Sequence, residues 1–314
     1  MARSLIRRPR IPLPRSGKVR LGLAVFAFFI LVAIIGPWFV GNVMHTTVTA
    51  VDFNAIAAGP SWHHLLGTTV AGQDCLAQLI VGARGSVLVG IISGLLATFL
   101  SALVGVWSGF VGGMTDRVLN AFTNLVMTLP GFALLIIVSG YVANVSLLMI
   151  AFIIGVLEWP SGARYLRAQT MSMRGRDFTM ALETVGEKRW RIILVEVMPH
   201  LYGIISAMFL RAVVAGVFAE AALAFLGIGD AGGVSWGTMI GNAETQNAMM
   251  HGLWGWLVPP GLCIAILGTA TALVNFGLDE LSNPALRTSN ARTVREFNRQ
   301  QERERARAGK EATA

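Results

Sequence analysis

The chain has 314 residues, 54% of them hydrophobic and only 13% charged, with a formal net charge of +8. A soluble domain carries about 25% charged residues, so this composition, with a mean hydropathy of +0.63, excludes an ordinary soluble fold and points to an integral membrane protein. The charge does not describe a nucleic-acid surface either, because the basic residues fall into three clusters separated by long apolar runs, the pattern of loops held on the inner side of a membrane.

Uncharged runs of about 20 residues recur, the length a helix needs to cross the hydrocarbon core. Ten-residue segments of alternating polarity, the mark of a barrel, are not seen. The expected fold is therefore all-α, with six transmembrane helices. Residues 1–20 form a basic N-terminus, placed in the cytoplasm. The first span is 21–40. Its basic flank also fits a signal peptide, but the apolar run is long and no small-x-small cleavage site follows, so it is read as a retained helix. Residues 41–80 contain no Lys or Arg and are placed outside.

A five-helix core is expected over 86–278. Its first helix, about 86–110, carries Gly90, Gly94 and Thr98, then Ser101, Gly105 and Gly109, each set at four-residue spacing. Small residues on one face let another helix approach closely. The hydrophilic turn "GGMTDR" follows. The next span, 118–140, is interrupted by Pro130, and another runs over 145–159. A polar, basic segment at 160–200 should lie inside. The last two spans are about 201–226 and 253–278, joined by a loop without Lys or Arg that should lie outside. The tail, 282–314, is charged, poor in apolar residues and cytoplasmic.

Several chemistries lack their residues. The Gly-Lys pairs Gly17-Lys18 and Gly309-Lys310 lie in no phosphate-binding loop, and neither H-E-x-x-H nor C-x-x-C occurs. Cys75 and Cys263 are read as unpaired. No catalytic residue, cofactor or metal site is expected. His63 and His64 lie near Cys75, but adjacent loop histidines are read as hydrogen-bonding or interfacial residues rather than metal ligands. Arg211 and Glu220 fall inside the fifth span. Nine residues apart, they cannot pair along one helix. Each either lines a pathway or is neutralised at a protein interface.

The basic interior segment contains "FTMALETVGEKRWRIILVEVMPH". Gly186 can end a helix with positive φ, and Pro199 can open the next or kink its entry. Between them Trp190, Ile193, Leu194 and Val197 recur at helical spacing. This predicts a short helix lying across the inner face. It either docks into a groove of a soluble partner or rests on lipid.

The segment resembles the EAA loop of ABC importer permeases, whose pattern is E-A-A, three residues, Gly, and a Pro thirteen residues later. Met180, Ala181, Leu182, Gly186 and Pro199 take the aligned positions. Met180 replaces the Glu and Leu182 the second Ala, while the Gly-to-Pro spacing is kept. "HLLGTTVAGQDCLAQLIVGARGSVLVG" resembles a segment of dipeptide/oligopeptide importers, in the C-type of their two permeases. His64, Gly67, Thr68, Asp74 and Arg84 are among its matches, and Thr69, Gln73 and Gln78 depart from it. "EAALAFLGIG", "SWGTMI" and "LVNFGLDELSNPALR", with Asn275, Asp279, Leu281 and Pro284 in register, resemble further stretches of the same family. The resemblance implies a type I ABC importer permease fold in the bacterial inner membrane, both termini cytoplasmic. It implies a second, B-type permease, two ATPase subunits that hydrolyse ATP, and an extracytoplasmic solute-binding protein. Ala181, Leu182, Gly186 and Pro199 would shape the coupling element that meets the ATPase, with Arg189 and Trp190 as its contacts, and His64, Gly67, Thr68, Asp74 and Arg84 would shape the outer segment. Peptide is the implied cargo. Related systems carry nickel, haem, glutathione or oligosaccharides. An autonomous secondary transporter would want repeated halves with broken helices, and no inverted repeat is visible.

Overall fold

The structure is a computed structural model that describes residues 17–141, 146–230 and 232–282, with side chains described as far as Asn275. Most of the expected basic N-terminus and nearly all of the charged tail lie outside the described residues. Nine helices are described: α1 (Gly17–Asn42), α2 (Cys75–Val111), α3 (Gly113–Thr128), α4 (Gly131–Tyr141), α5 (Leu147–Arg174), α6 (Asp177–Thr184), α7 (Arg189–Phe225), α8 (Trp236–Thr245) and α9 (Trp254–Ser282). Among the described residues the other pairing is two isolated antiparallel bridges, Val51 with Gln73 and Thr68 with Asp74.

Five of these helices are long and apolar enough to cross a membrane, and α3 with α4 makes a sixth candidate span, bent by 78°. The bend has a local cause. Leu129 precedes Pro130 and is extended, at φ −73 and ψ 134, because the proline ring disfavours helical geometry in the residue before it.

α2 is the centre of the bundle. It packs along α5, and also touches α7 and α1. The small residues expected to form one seam serve two partners. A Cβ at Gly90 would lie 2.8 Å from the Val213 carbonyl oxygen of α7, and one at Gly109 would lie 2.7 Å from the Arg167 carbonyl oxygen of α5. Between them the Ser101 hydroxyl donates to the Trp159 carbonyl at 2.7 Å. In lipid, apolar surface gains little from burial against another helix, so close backbone approach and interhelical hydrogen bonds hold such a bundle.

Three sequence expectations need correction. The expected loop 160–200 is helical as far as Arg174, because α5 continues through Pro160. Its basic side chains find partners on α3: Arg167 makes a two-point ion pair with Asp116 at 2.6 and 2.7 Å, and Arg164 donates to the Asn124 side-chain oxygen at 2.8 Å. At 37 residues, α2 is about 55 Å long and outruns the span expected at 86–110. The segment after α7, expected only as a loop between two spans, contains α8.

Candidate functional site

The short helix at the basic turn lies before Gly186, not after it. α6 spans Asp177–Thr184, and from Arg189, three residues past Gly186, the chain already belongs to α7. Gly186 ends this helix in the left-handed conformation expected of it. It sits at φ +82, its N–H donates to the Glu183 carbonyl (3.0 Å), and the Glu187 N–H donates to the Leu182 carbonyl (3.1 Å). This pair of bonds is the Schellman stop, which wants a left-handed residue just past the helix. The Glu187 carboxylate then pairs with Arg191 at 2.6 Å, one turn into α7.

α6 is pinned by two residues. Thr179 is fully buried and donates from its hydroxyl to the Met173 carbonyl at 3.1 Å. Leu182 packs against the cluster of Phe110, Leu166, Ile192 and Leu201. The opposite surface is open: Ala181 and Arg189 are exposed, as are Met180, Val185 and Trp190. Of the four apolar residues expected on one helix face, Ile193 and Val197 are buried while Trp190 and Leu194 are exposed. After the α-helical Arg189–Arg191, α7 passes through a π-helical stretch, Ile192–Val197, before the α-helical run Met198–Phe225, whose first turn holds Pro199. The wider turn lets a helix already running upstream pass a residue that has no N–H to give.

At the other end, residues 43–74 make a frame of side-chain hydrogen bonds. Asp74 caps α2, accepting from the Ala77 N–H at 2.8 Å. Its second oxygen lies 2.7 Å from His64 Nδ1, and His64 Nε2 lies 3.4 Å from Asp52. The hydrogen bond to Asp74 raises the His64 pKa above its ordinary 6.5, against a smaller opposing effect of burial. The Thr68 hydroxyl accepts from the Ala58 N–H at 2.9 Å and donates to the Ala55 carbonyl. Gly67 sits at φ +78, where a Cβ would also strike the Ala58 carbonyl oxygen at 2.6 Å. The structure thus brings His64, Gly67, Thr68 and Asp74 together. It does not bring Arg84 with them. Arg84 is exposed on α2, between Gly82 and Gly85, which pack on Ser235 and Val234.

Arg211 and Glu220 are separated. Glu220 is 1% exposed and accepts from the Ser235 hydroxyl at 2.5 Å. Ser235 is the N-cap of α8, with a capping box completed by Thr238. Gly237 lies against both carboxylate oxygens; a Cβ there would come within 2.7 Å of Oε2. Glu220 therefore fastens α8 to α7. Arg211 instead lines a cavity of about 670 Å³ walled by α2, α5 and α7 and reached by α9 at Asn275. Thr98 and Asn275 line it too. The sequence marked Thr98 only as a small seam residue and Asn275 only as a motif match. A polar residue inside an apolar run was the available signal for both. Among the described residues no group of three or more His, Cys, Asp or Glu could hold a metal ion.

The family model described as "Binding-protein-dependent transport system inner membrane component" matches residues 101–288. The chain is similar to curated relatives over most of its length. It is 33% identical over 240 residues to the oligopeptide transport system permease protein OppC of Mycobacterium tuberculosis (strain ATCC 25618 / H37Rv), covering 76% of this chain and 81% of that one. It is 31% identical over 228 residues to the OppC of Haemophilus influenzae, covering 71% of each. It is 30% identical over 278 residues to the OppC of Bacillus subtilis (strain 168), covering 87% of this chain and 88% of that one.

Proposed function

Because the chain belongs to the family of inner-membrane components of binding-protein-dependent transport systems, we propose that it forms, with a second permease, the pathway of an ATP-driven importer for di- and oligopeptides. It is a multi-pass membrane protein of the permease type. The peptide class is supported by the names of its relatives.

The observation that carries the mechanism is the turn between α5 and α7. A helix of eight residues is stopped by a left-handed glycine, pinned from beneath by Thr179 and Leu182, and surrounded by exposed Met180, Val185 and Trp190. In this reading the turn faces the cytoplasm with both termini, and inserts into a cleft of one of two ATPase subunits. Trp190 and Arg189 contact that subunit. ATP can reorient the pore only through contacts that differ between the two states, and this turn is where such contacts are made. The rigid frame at 43–74 lies outside and meets a solute-binding protein. Hydrolysis belongs to the ATPase subunits, and this chain contributes no catalytic group.

The test is reconstitution. The full chain, tagged and purified from bacterial membranes with its associated subunits, is placed in liposomes with the binding protein and a labelled tripeptide. Uptake that requires ATP inside is the expected result. A complex without ATPase activity, or uptake driven by an ion gradient alone, overturns the reading.

A further inference from the structure

α6 is joined to α7 by more than the chain. Along the chain the link is residues 185–188, a surface turn built on the left-handed Gly186. The ion pair of Glu187 with Arg191 lies within that turn, and a pair at the surface holds with little free energy. A turn of this kind bends when it is pushed. Beside it, Leu182 packs on the apolar cluster that includes Ile192, Val197 and Leu201. Apolar packing has no direction, so it resists separation more than sliding.

A third connection bypasses the turn and does have direction. Phe178, in the first turn of α6, stacks on the His200 ring of α7, with centroids 5.7 Å apart and planes 20° from parallel. His200 Nδ1 lies 2.7 Å from the Glu196 carbonyl oxygen. A carbonyl only accepts, so Nδ1 is the donor. Glu196 belongs to the π-helical stretch, after which the Met198 N–H reaches back five residues to the Ile193 carbonyl. Pro199 then has no N–H to give, so the return to α-helical bonding is short of a donor where the imidazole supplies one. One ring thus ties α6 to the irregular turn of α7. Such π-helical turns are rare and recur at functional sites. A one-residue change of register there is worth about 100° around the helix axis and about 1.5 Å along it. A contact that holds this turn therefore sets how the start of α7 is oriented against its later part, which carries Arg211 on the cavity.

We propose that Phe178 and His200 form a coupling pair that makes α6 and the start of α7 move as one piece, so that a push on α6 passes into the bundle instead of being absorbed at Gly186. The inference rests on the importer reading, in which an ATPase subunit meets α6. Both are positioning residues. His200 is exposed and Phe178 half-buried, so neither fills the core, and neither belongs to the exposed set of Met180, Val185 and Trp190 that faces the partner.

The experiment uses the reconstituted complex with binding protein and a labelled tripeptide, and reads peptide taken up and ATP hydrolysed in the same vesicles. Phe178→Ala and His200→Ala should each lower the peptide carried per ATP about fivefold, the size of one lost aromatic contact. The double variant should fall no further, because two residues of one contact are not additive. Phe178→Tyr keeps the ring and should couple as wild type does. ATPase retained on the purified complex should be unchanged in all four. Wild-type peptide per ATP in both alanine variants refutes the pair. So does a double variant that falls about 25-fold, the product of independent effects, or a Phe178→Tyr variant as poor as Phe178→Ala. Loss of ATPase from either alanine variant also refutes it, by moving that residue to the docking surface. In each of those cases wild type still couples uptake to ATP, and the importer reading stands. If wild type carries no peptide with ATP and binding protein present, that reading fails and the coupling pair with it.

Discussion

The segment 43–74 and the turn around α6 both display large apolar side chains to the surroundings, Phe53 and Trp62 in one, Val185 and Trp190 in the other. They differ in what holds the display in place. In 43–74 a mesh of side chains does it: Asp74 serves both the α2 cap and His64, His64 reaches Asp52, and Thr68 joins two backbone groups. At α6 one glycine at φ +82, the buried Thr179 and the half-buried Leu182 do it. A mesh distributes its free energy over several bonds and loosens by degrees, and part of it titrates. A single left-handed stop either forms or does not. A segment that must transmit motion as a unit is well served by the second construction, and one that must present a steady surface by the first.

The sharpest way to break this contrast is Gly186→Val. A β-branched residue held at φ +82 costs roughly 1–3 kcal/mol, enough to displace α6. The expected outcome is loss of most ATPase from the purified complex and of transport, with insertion in the membrane unchanged. Gly186→Asn, which tolerates left-handed geometry, should retain both. A valine variant with normal ATPase retention would show that the turn does not depend on its glycine.

Trp190→Ala should follow in size. Trp190 is 53% exposed, so its removal leaves the fold intact. Aromatic anchors often dominate such contacts, and a loss of about 2 kcal/mol, or about 30-fold in ATPase affinity, is expected. Titration of isolated ATPase onto the permease pair measures it, and an unchanged affinity removes Trp190 from the interface.

Asp74→Ala tests the mesh. It takes away the α2 cap and the stronger His64 partner together, and a lost cap alone costs about 1 kcal/mol. Proteolysis within 43–74 should become faster and uptake slower, while the ATPase stays bound. Asp74→Asn, which can still cap, should be milder. Equal effects of the two substitutions would place the whole role of Asp74 in its charge.

The smallest effect expected is that of pH. The His64 pKa is raised, chiefly by Asp74. Its contribution is therefore fully present below the unfolded value near 6.5 and is lost as pH rises through the higher folded value. The Asp52 pKa is lowered, by the Asn54 backbone hydrogen bond first and His64 second. Its share is present above about 3.8 and disappears as pH falls through the lowered value. The frame should thus hold best between those limits, and protease cleavage within 43–74 should rise as the pH climbs above about 6.5 and through the raised folded value of His64. His64→Gln should flatten that rise. A rise that persists in the variant would assign the titration to another group.

Much of this architecture was legible before any coordinates. Apolar runs of sufficient length located the long helices, since lipid leaves a spanning backbone no other way to satisfy its N–H and C=O groups. Pro130 marked the broken span and Gly186 a left-handed stop, because both residues act through the local backbone alone. The ends of helices were less legible. α5 runs on through Arg164 and Arg167 to Arg174 because helical hydrogen bonding does not stop where hydrophobicity does. The partner that settles Arg167, Asp116, lies 51 residues away.

Arg211 and Glu220 mark the boundary between what each level decided. Their spacing of nine residues puts them about half a turn apart around one helix, so the sequence by itself determined that they face different surroundings. It could not say which of them meets a cavity. That followed from two packing events far apart in the chain. The capped start of α8 brought Ser235 onto Glu220 and buried it. α2, α5 and α7, held close elsewhere by glycine and serine contacts, left a gap at Thr98 and Arg211. A helical pattern fixes the directions in which side chains leave one axis. What lies in each direction depends on the other helices, and only the assembled bundle places those.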